Sequence, residues 1–238
     1  MNQRTWNEPV SRSILKKLSG GLVVSCQAPG NNPLRGPAFM AAMAEAAMRG
    51  GAKGIRADGV EDIRAIRQTV GPDVPLIGIL KTKMPDGSRF VTASSDDARA
   101  IIDAGASLVA LDGTRRQRPG GESLPQVVAS VRAEGVAALA DCSTADDARY
   151  SLESGVDAVG STLAGYTPDS DMMEGPDFAL LEQLVRLEAV PVFAEGRIWT
   201  REDAVRAFDL GADFIVVGTA ITNPMAITER FVAAISAR

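Results

Sequence analysis

Five polar or charged residues stand at the ends of short apolar segments of the chain: Gln27, Arg56, Lys81, Asp141 and Glu195. In a chain without histidine, acid–base chemistry would have to use side chains such as lysine, glutamate and aspartate. Burying an unpaired carboxylate costs free energy, so Glu195 at the end of VPVFAE requires a cationic neighbour. This chemistry requires the five side chains to meet, and the elements that carry them must bring them together.

Side chains alternate between the two faces of a strand, so residues two apart point the same way. The sets that share a face are Ile77, Ile79 and Lys81; Ala137, Leu139 and Asp141; and Phe193 and Glu195. If these faces point into a closed barrel, the last member of each set lies at one mouth, and the same reasoning places Gln27 and Arg56 there. A single polar residue at a strand end is more often a cap or part of a surface ion pair, but five on one rim favour a functional site.

The chain alternates buried-strand patterns with amphipathic helix patterns. Eight segments have strand character: LVVSCQ (22–27), KGIRA (53–57), LIGILK (76–81), SLVALD (107–112), VAALAD (136–141), DAVGSTL (157–163), VPVFAE (190–195) and DFIVVG (213–218). The pattern predicts an α/β protein built as a single-domain TIM (β/α)8 barrel. An open doubly wound sheet is the alternative, but SCQAPGNNP lacks its GxGxxG fingerprint. We expect residues 1–20 to form an N-terminal extension with a short helix over the barrel bottom, and residues 21–238 to form the catalytic barrel.

Composition limits the classes of function. The 238 residues carry a formal net charge of -5, which argues against binding to nucleic acid or to a membrane surface. Histidine is absent, which removes imidazole metal sites and the usual neutral-pH proton shuttle. Cys26 and Cys142 would point away from the mouth, as small core residues rather than nucleophiles. Because no apolar run approaches ~18 residues and the N-terminus lacks a signal-peptide core, we expect a cytoplasmic protein.

Glycines follow the last two strand patterns. Gly196 in AEGRI and Gly218 in VVGTA, followed by Thr219, could bind phosphate through backbone N–H groups, as (β/α)8 barrels often do after strands seven and eight. The alternative is that both glycines merely allow tight turns. Arg197 could hold Glu195 or contact the phosphate.

Oligomeric state is not determined by the sequence, which is compatible with a homodimer. The basic run TRRQR (114–118) could contact another subunit, reach an anionic substrate or form a solvated loop.

Several segments occur in an order that resembles one known family. SCQ…PL, GGAKGIRAD, DIRAIR, LIGILK, VALDGTRRQRP, LADCST, VDAVGSTLAGYT, FAEGRI and FIVVGTAITNP together closely resemble the bacterial N-acetylmannosamine-6-phosphate 2-epimerase family. The resemblance implies a TIM barrel that interconverts N-acetylmannosamine 6-phosphate and N-acetylglucosamine 6-phosphate without a cofactor or a metal. It also implies a place in sialic acid and amino-sugar breakdown, with an amino-sugar phosphate as the partner molecule.

The resemblance assigns roles to the five residues at the mouth. The family's catalytic lysine matches Lys81 and its acidic partner matches Glu195. Its substrate-contacting glutamine, arginine and aspartate match Gln27, Arg56 and Asp141. Lys81 would remove the proton at C2 of the open-chain sugar; Glu195 would either return a proton to the opposite face or orient the sugar while Lys81 serves both directions.

Three segments depart from the family pattern. Asn223 stands where the family often has an arginine in ITRP, and it cannot supply that positive charge to a phosphate. The loop TKMPDGSRFVTAS after Lys81 differs from the tyrosine-containing family loop, and VGST replaces VGTT. These departures concern the phosphate clamp and the choice of sugar more than the chemistry at C2.

Other functions remain compatible with the same residues. Lys81 could form a Schiff base in a class I aldolase-like barrel. A pentose-phosphate epimerase would commonly use a histidine-ligated metal, which this chain cannot build; an amino-acid-biosynthetic phosphate barrel is a further reading. A sugar-phosphate sensor would bind without turnover and would need no base.

Overall fold

The computed structural model describes residues 10–28, 30–84 and 87–238. Its strands are β1 (Gly21–Cys26), β2 (Gly54–Asp58), β3 (Leu76–Ile79), β4 (Lys81–Lys83), β5 (Arg89–Val91), β6 (Leu108–Asp112), β7 (Ala137–Asp141), β8 (Ala158–Gly160), β9 (Val192–Glu195) and β10 (Phe214–Val217). Its α-helices are α1 (Val10–Leu18), α2 (Pro37–Arg49), α3 (Val60–Val70), α4 (Ser95–Asp103), α5 (Leu124–Ala133), α6 (Ala145–Glu153), α7 (Phe178–Arg186), α8 (Arg201–Asp209), α9 (Thr219–Thr222) and α10 (Pro224–Ser236). In these ranges, no helix has the length and apolar content that crossing a membrane requires.

Eight parallel strands close into a barrel in the order β1, β2, β3, β6, β7, β8, β9 and β10. Pairing of β1 with β10, where Gly21 lies opposite Phe214, completes the ring. The predicted TIM (β/α)8 barrel is therefore confirmed. An open doubly wound sheet is excluded, because such a sheet would leave two unpaired edge strands.

Helix α1 covers the end of the barrel where the strands begin. Leu15 and Leu18 of α1 belong to the same apolar cluster as the side chains inside the barrel. A Cβ atom on Gly54, the first residue of β2, would lie 2.7 Å from Leu18 Cδ2, so the helix packs directly against this end. The predicted short helix is present, and residues 1–9 of the predicted extension lie outside the described residues.

Apolar side chains fill the barrel below its mouth. Ile77, Leu139, Phe193 and Phe214 lie in this interior cluster, and the two phenylalanine rings stack with centroids 5.2 Å apart. A Cβ atom on Gly160 would lie 2.2 Å from a ring carbon of Phe193, so β8 needs a glycine opposite the ring. Because the interior is packed, polar side chains nearer the strand ends emerge into the mouth.

The two cysteines lie in the layer between the barrel and its helices. Cys26 and Cys142 are free, buried and part of the outer apolar cluster, which confirms the prediction that they are core residues. Burial raises the pKa of Cys26 to about 12 and also raises the pKa of Cys142, so neither thiol ionises readily near neutral pH.

Two predicted strands run two or more residues past the C-terminal end of the observed strand. The strand predicted over 76–81 ends at Ile79, and Lys81 instead begins the antiparallel hairpin of β4 and β5, opposite Val91. Leu80 leaves the barrel because its N–H donates to Thr92 Oγ1 at 3.1 Å and its carbonyl accepts from Thr92 N at 2.8 Å. The strand predicted over 157–163 stops at Gly160; beyond it the Ser161 hydroxyl donates to Glu195 O at 3.0 Å.

Candidate active site

A cavity of about 810 Å³ opens where the barrel strands end. Gln27 follows β1, Arg56 lies in β2, Lys81 begins β4 and Glu195 ends β9; all four line the cavity. Asp141 ends β7 but is fully buried, and it meets the site through its contact with Arg56. The strand ends therefore bring together the five residues that alternation places at the mouth.

The guanidinium of Arg56 joins the two carboxylates of the site. Nη2 donates to Asp141 Oδ2 at 2.5 Å, while Nη1 donates to Asp141 Oδ1 at 3.0 Å and lies 2.7 Å from Glu195 Oε2. Burial alone would lower the pKa of Arg56, but the charges of Asp141 and Glu195 outweigh it and raise the pKa. Arg56 is therefore a permanent cation that compensates buried negative charge.

Glu195 is placed to exchange a proton near neutral pH. Burial raises its pKa to about 7 against the opposing charge of Arg56, and the charge of Asp141 adds to the rise. Thr162 Oγ1 lies 2.7 Å from Asp141 Oδ1 and 3.2 Å from Glu195 Oε2, and its one hydrogen can serve only one of them at a time. The requirement for a cation beside Glu195 is thus met by Arg56.

Lys81 projects into the cavity from the base of the hairpin. Its Nζ donates to Gln27 Oε1 and lies 3.8 Å from Asp58 Oδ2. Desolvation by the cavity walls lowers the pKa of Lys81; the charge of Asp58 opposes that change and the charge of Arg56 supports it. A lowered pKa increases the neutral fraction of the amine, which is the form that can act as a base.

Three contact residues escape the sequence analysis. Ser25 accepts a hydrogen bond at 2.7 Å from Gln27 Nε2, Thr162 lies between the two carboxylates, and Asp58 contacts Lys81. The alternation of side chains along a strand could have identified two of them. Ser25 lies two residues before Gln27 and Asp58 two residues after Arg56, so each shares a strand face with a predicted site residue. Thr162 offers no such signal, because it lies in a turn after β8.

Comparisons with known proteins identify one family. A family model described as "Putative N-acetylmannosamine-6-phosphate epimerase" matches residues 40–237. A protein of Clostridioides difficile (strain 630) described as "Putative N-acetylmannosamine-6-phosphate 2-epimerase" is 46% identical over 222 residues, which are 93% of this chain and 99% of the relative. The chain belongs to this epimerase family.

Two further comparisons bear on the fold of this epimerase-family chain. The structure of the N-acetylmannosamine-6-phosphate 2-epimerase from Clostridium perfringens matches with a TM-score of 0.89 and 38% identity, over 97% of this chain and 100% of that one. A thiamine phosphate pyrophosphorylase structure from Pyrococcus furiosus matches with a TM-score of 0.61 at 18% identity, over 90% of this chain and 93% of that one. The second match supports the barrel fold alone.

Asn223, where the family resemblance leads us to expect an arginine, lines the cavity. The Oδ1 atom of Asn223 accepts from Ala226 N at 3.1 Å and from Asn32 Nδ2 at 3.2 Å, so the side chain caps α10. Gly196, Gly218 and Thr219 line the same cavity as Asn223. At these positions the chain offers backbone groups and neutral side chains, and Arg197, which follows Gly196, is a cation in the same lining.

Arg197 holds a loop of the epimerase rather than Glu195. Its Nε donates to Gly175 O at 2.8 Å and its Nη1 donates to Ala164 O at 2.7 Å, both in the segment between β8 and α7. The backbone of Arg197 has φ 55, a region that non-glycine residues seldom adopt, so these contacts fix an unfavourable conformation. Arg197 still lines the cavity and remains a candidate contact for an anionic group.

The basic run 114–118 is tied to β6 through two of its arginines, so of the three alternatives a solvated loop does not describe these two side chains. Arg116 Nη2 donates to Asp112 Oδ2 at 2.6 Å and Arg116 lines the cavity. Arg118 is buried and donates to the carbonyl of Asp112.

For metal binding the site offers little. Within residues 10–28, 30–84 and 87–238, no group of three or more cysteine, aspartate or glutamate side chains is placed to hold a metal ion. Metal-free chemistry remains a prediction that the sequence and the family resemblance make.

Proposed function

We propose that this protein is the isomerase that interconverts N-acetylmannosamine 6-phosphate and N-acetylglucosamine 6-phosphate by moving the proton at C2. The observation that carries the proposal is the pairing, in one cavity, of an amine whose pKa is lowered with a carboxyl whose pKa is raised to about 7. Opposite shifts of this kind are typical of a base and an acid that work at neutral pH. Family membership supplies the substrate.

In the two-base version of the reaction, neutral Lys81 takes the C2 proton of the open-chain aldehyde. The C–H electron pair forms the C1–C2 double bond, and the C=O pair moves to the C1 oxygen to give an enolate. Protonated Glu195 then returns a proton to C2 on the opposite face, and the enolate electrons form the new C–H bond. Exchange with solvent restores both groups, and the reverse reaction exchanges their roles.

In the one-base version, Lys81 serves both directions and Glu195 only orients the sugar. Arg56, held by both carboxylates, would contribute positive charge near the enolate, and Gln27 would orient Lys81. Both versions start from N-acetylmannosamine 6-phosphate with Lys81 neutral, but only the two-base version leaves Lys81 protonated, so that it must lose this proton to solvent before the next turnover.

The phosphate would lie against Gly196, Gly218 and Thr219. The first N–H groups of α9 have no partner inside that helix, because its first intrahelical bonds are donated by Ile221 and Thr222 to Gly218 O. Backbone N–H groups of this kind bind phosphate in many (β/α)8 barrels, and Arg197 is the nearby candidate cation. The side chain of Asn223 caps α10 and would give the phosphate no positive charge.

Incubation of the protein with N-acetylmannosamine 6-phosphate in D2O tests this proposal. We expect N-acetylglucosamine 6-phosphate that carries deuterium at C2, because the group that delivers the proton to C2 exchanges its own proton with solvent. Proton NMR of the C2 signal follows both turnover and label. Product that retains its original C2 hydrogen would contradict the route, and a substrate adduct trapped by borohydride would instead indicate imine chemistry.

The cell compartment follows from the substrate. A sugar phosphate is doubly charged near neutral pH and does not cross a lipid bilayer, so an enzyme of amino-sugar and sialic acid breakdown would act in the cytoplasm. This agrees with the localisation that the sequence predicts, and the partner would be the small-molecule substrate.

A homodimer is the oligomer that we propose. Phe231, Val232 and Ile235 share one side of α10 and are 68%, 57% and 63% exposed. Two copies related by a two-fold axis would cover both apolar faces at once.

We expect Phe231→Glu to convert a dimer into a monomer in light scattering at micromolar concentration, with Arg238→Glu as the control. A monomeric parent protein would refute the proposal.

A further inference from the structure

The carboxylate of Asp58 contacts Lys81 twice, at the backbone N–H and at the side-chain ammonium. Asp58 is the last residue of β2 and lies two residues after Arg56, on the same face of the strand. Its Oδ1 accepts from the backbone N–H of Lys81 at 3.0 Å, and its Oδ2 lies 3.8 Å from Lys81 Nζ. One carboxylate therefore meets both the start of the hairpin and the ammonium that the hairpin carries.

The contact lies where the chain leaves the barrel. Asp58 is paired with Ile79, the last residue of β3, and Leu80 bonds to Thr92 in the hairpin. The N–H of Lys81 is the next donor along the chain, beyond the barrel ladder, and Asp58 provides its acceptor. The neighbouring backbone groups of Leu80 bond to Thr92, so the Asp58 carboxylate is a contact that ties the Lys81 N–H to the barrel.

The far strand of the hairpin has its own anchor. Arg116 donates to Arg89 O at 3.2 Å and lies 4.4 Å from the centre of the Phe90 ring, and it also donates to Asp112 Oδ2 of β6 at 2.6 Å. Arg116 thus ties β5 to β6. Asp58 is the corresponding tie between β4 and β2, on the side where Lys81 enters the cavity.

We propose that Asp58 is a positioning residue for the C2 reaction: its carboxylate fixes the backbone of Lys81 at the barrel exit and directs the side chain over the cavity. The inference rests on the proposed function only for the role of Lys81 as base. The Asp58–Lys81 contact itself can be measured without turnover.

The charge of Asp58 has a second consequence for Lys81. The groups that face the ammonium are Asp58, Arg56, Glu195 and Asp141; burial and Arg56 lower the pKa of Lys81, and the three carboxylates raise it. Asp58 opposes the lowering most strongly of the three. Removing its charge must therefore lower the pKa of Lys81 further and leave a larger neutral fraction at a given pH.

Two variants separate the positioning contact from the charge. Asp58→Asn keeps an Oδ1 acceptor for the Lys81 N–H but has no charge, and Asp58→Ala removes both. Glu61→Gln is the matched control, because it removes a carboxylate three residues away that is 73% exposed and pairs with Arg64. Circular dichroism checks that each variant folds.

Competitive acetylation read by peptide mass spectrometry follows the titration of Lys81 alone. We expect its midpoint to fall by roughly one pH unit in Asp58→Asn, as for a unit charge about 4 Å away in a partly solvated site. In the D2O assay we expect kcat to stay within about threefold of the parent value in Asp58→Asn and to fall about tenfold or more in Asp58→Ala, with KM little changed. Glu61→Gln should match the parent in both assays.

An unchanged Lys81 midpoint in Asp58→Asn would overturn the proposal, as would equal losses of kcat in the two Asp58 variants. If the parent protein proved inactive on the sugar, the proposed function would fail, yet the acetylation midpoints would still decide whether Asp58 acts on Lys81.

Discussion

Lys81→Ala is expected to lower kcat for the epimerisation about a thousandfold while leaving the barrel folded. The amine of Lys81 is the base that we propose for removing the C2 proton. Water in the space left by its side chain would be a weaker and less well-placed base. Stability should change by about 1 kcal/mol or less, because the Lys81 side chain is 38% exposed and lies outside the apolar interior. Kinetics on N-acetylmannosamine 6-phosphate and urea denaturation measure the two effects.

Lys83→Ala is the matched control for this variant. Lys83 lies in the same short strand and is also exposed, but it does not line the cavity, so its replacement should leave kcat unchanged. Exchange of the C2 proton with D2O should disappear from the Lys81 variant in parallel with turnover, since both need the same proton removal. Exchange at the parent rate in the Lys81→Ala protein would show that another group is the base.

Alternation along the strands predicts which residues reach the mouth, because it depends only on the period of two in an extended chain. It places Gln27, Arg56, Asp141 and Glu195 correctly. It also places Lys81 at the cavity although β3 ends at Ile79 and Lys81 begins β4. The face of a strand from which a residue points, and its distance from the end of the strand, are local properties that a sequence pattern can predict.

Distances across the barrel are not local and could not be predicted. Sequence reasoning offers arginine or lysine as the cation beside Glu195, and only the closed ring brings Arg56 to within 2.7 Å of it. Arg197 lies two residues from Glu195 in the chain, but its left-handed backbone turns it towards Ala164 and Gly175. Side chains in turns have no fixed period, which is why Thr162 was missed.

Arg56→Met is the second variant with a large expected effect. It leaves Asp141, fully buried, and the largely buried Glu195 without their shared cation, so we expect a loss of roughly 3–5 kcal/mol in the free energy of unfolding. Activity should also fall, because the carboxyl of Glu195 loses its orienting partner. Urea denaturation measures the loss, and Arg64→Met is the control: its ion pair with Glu61 is exposed, so its effect should be within about 0.5 kcal/mol.

The double variant Arg56→Met, Asp141→Leu tests whether the loss comes from uncompensated charge or from lost packing. If the charge is responsible, removing Asp141 as well should recover most of the stability, because two apolar side chains can replace a buried ion pair at little cost. Activity should stay low, since neither side chain can hold Glu195 or Thr162. If the losses in the free energy of unfolding are instead additive in the double variant, the pair stabilises the barrel mainly through its packing. Charge compensation of Asp141 and Glu195 would then not be the main role of Arg56.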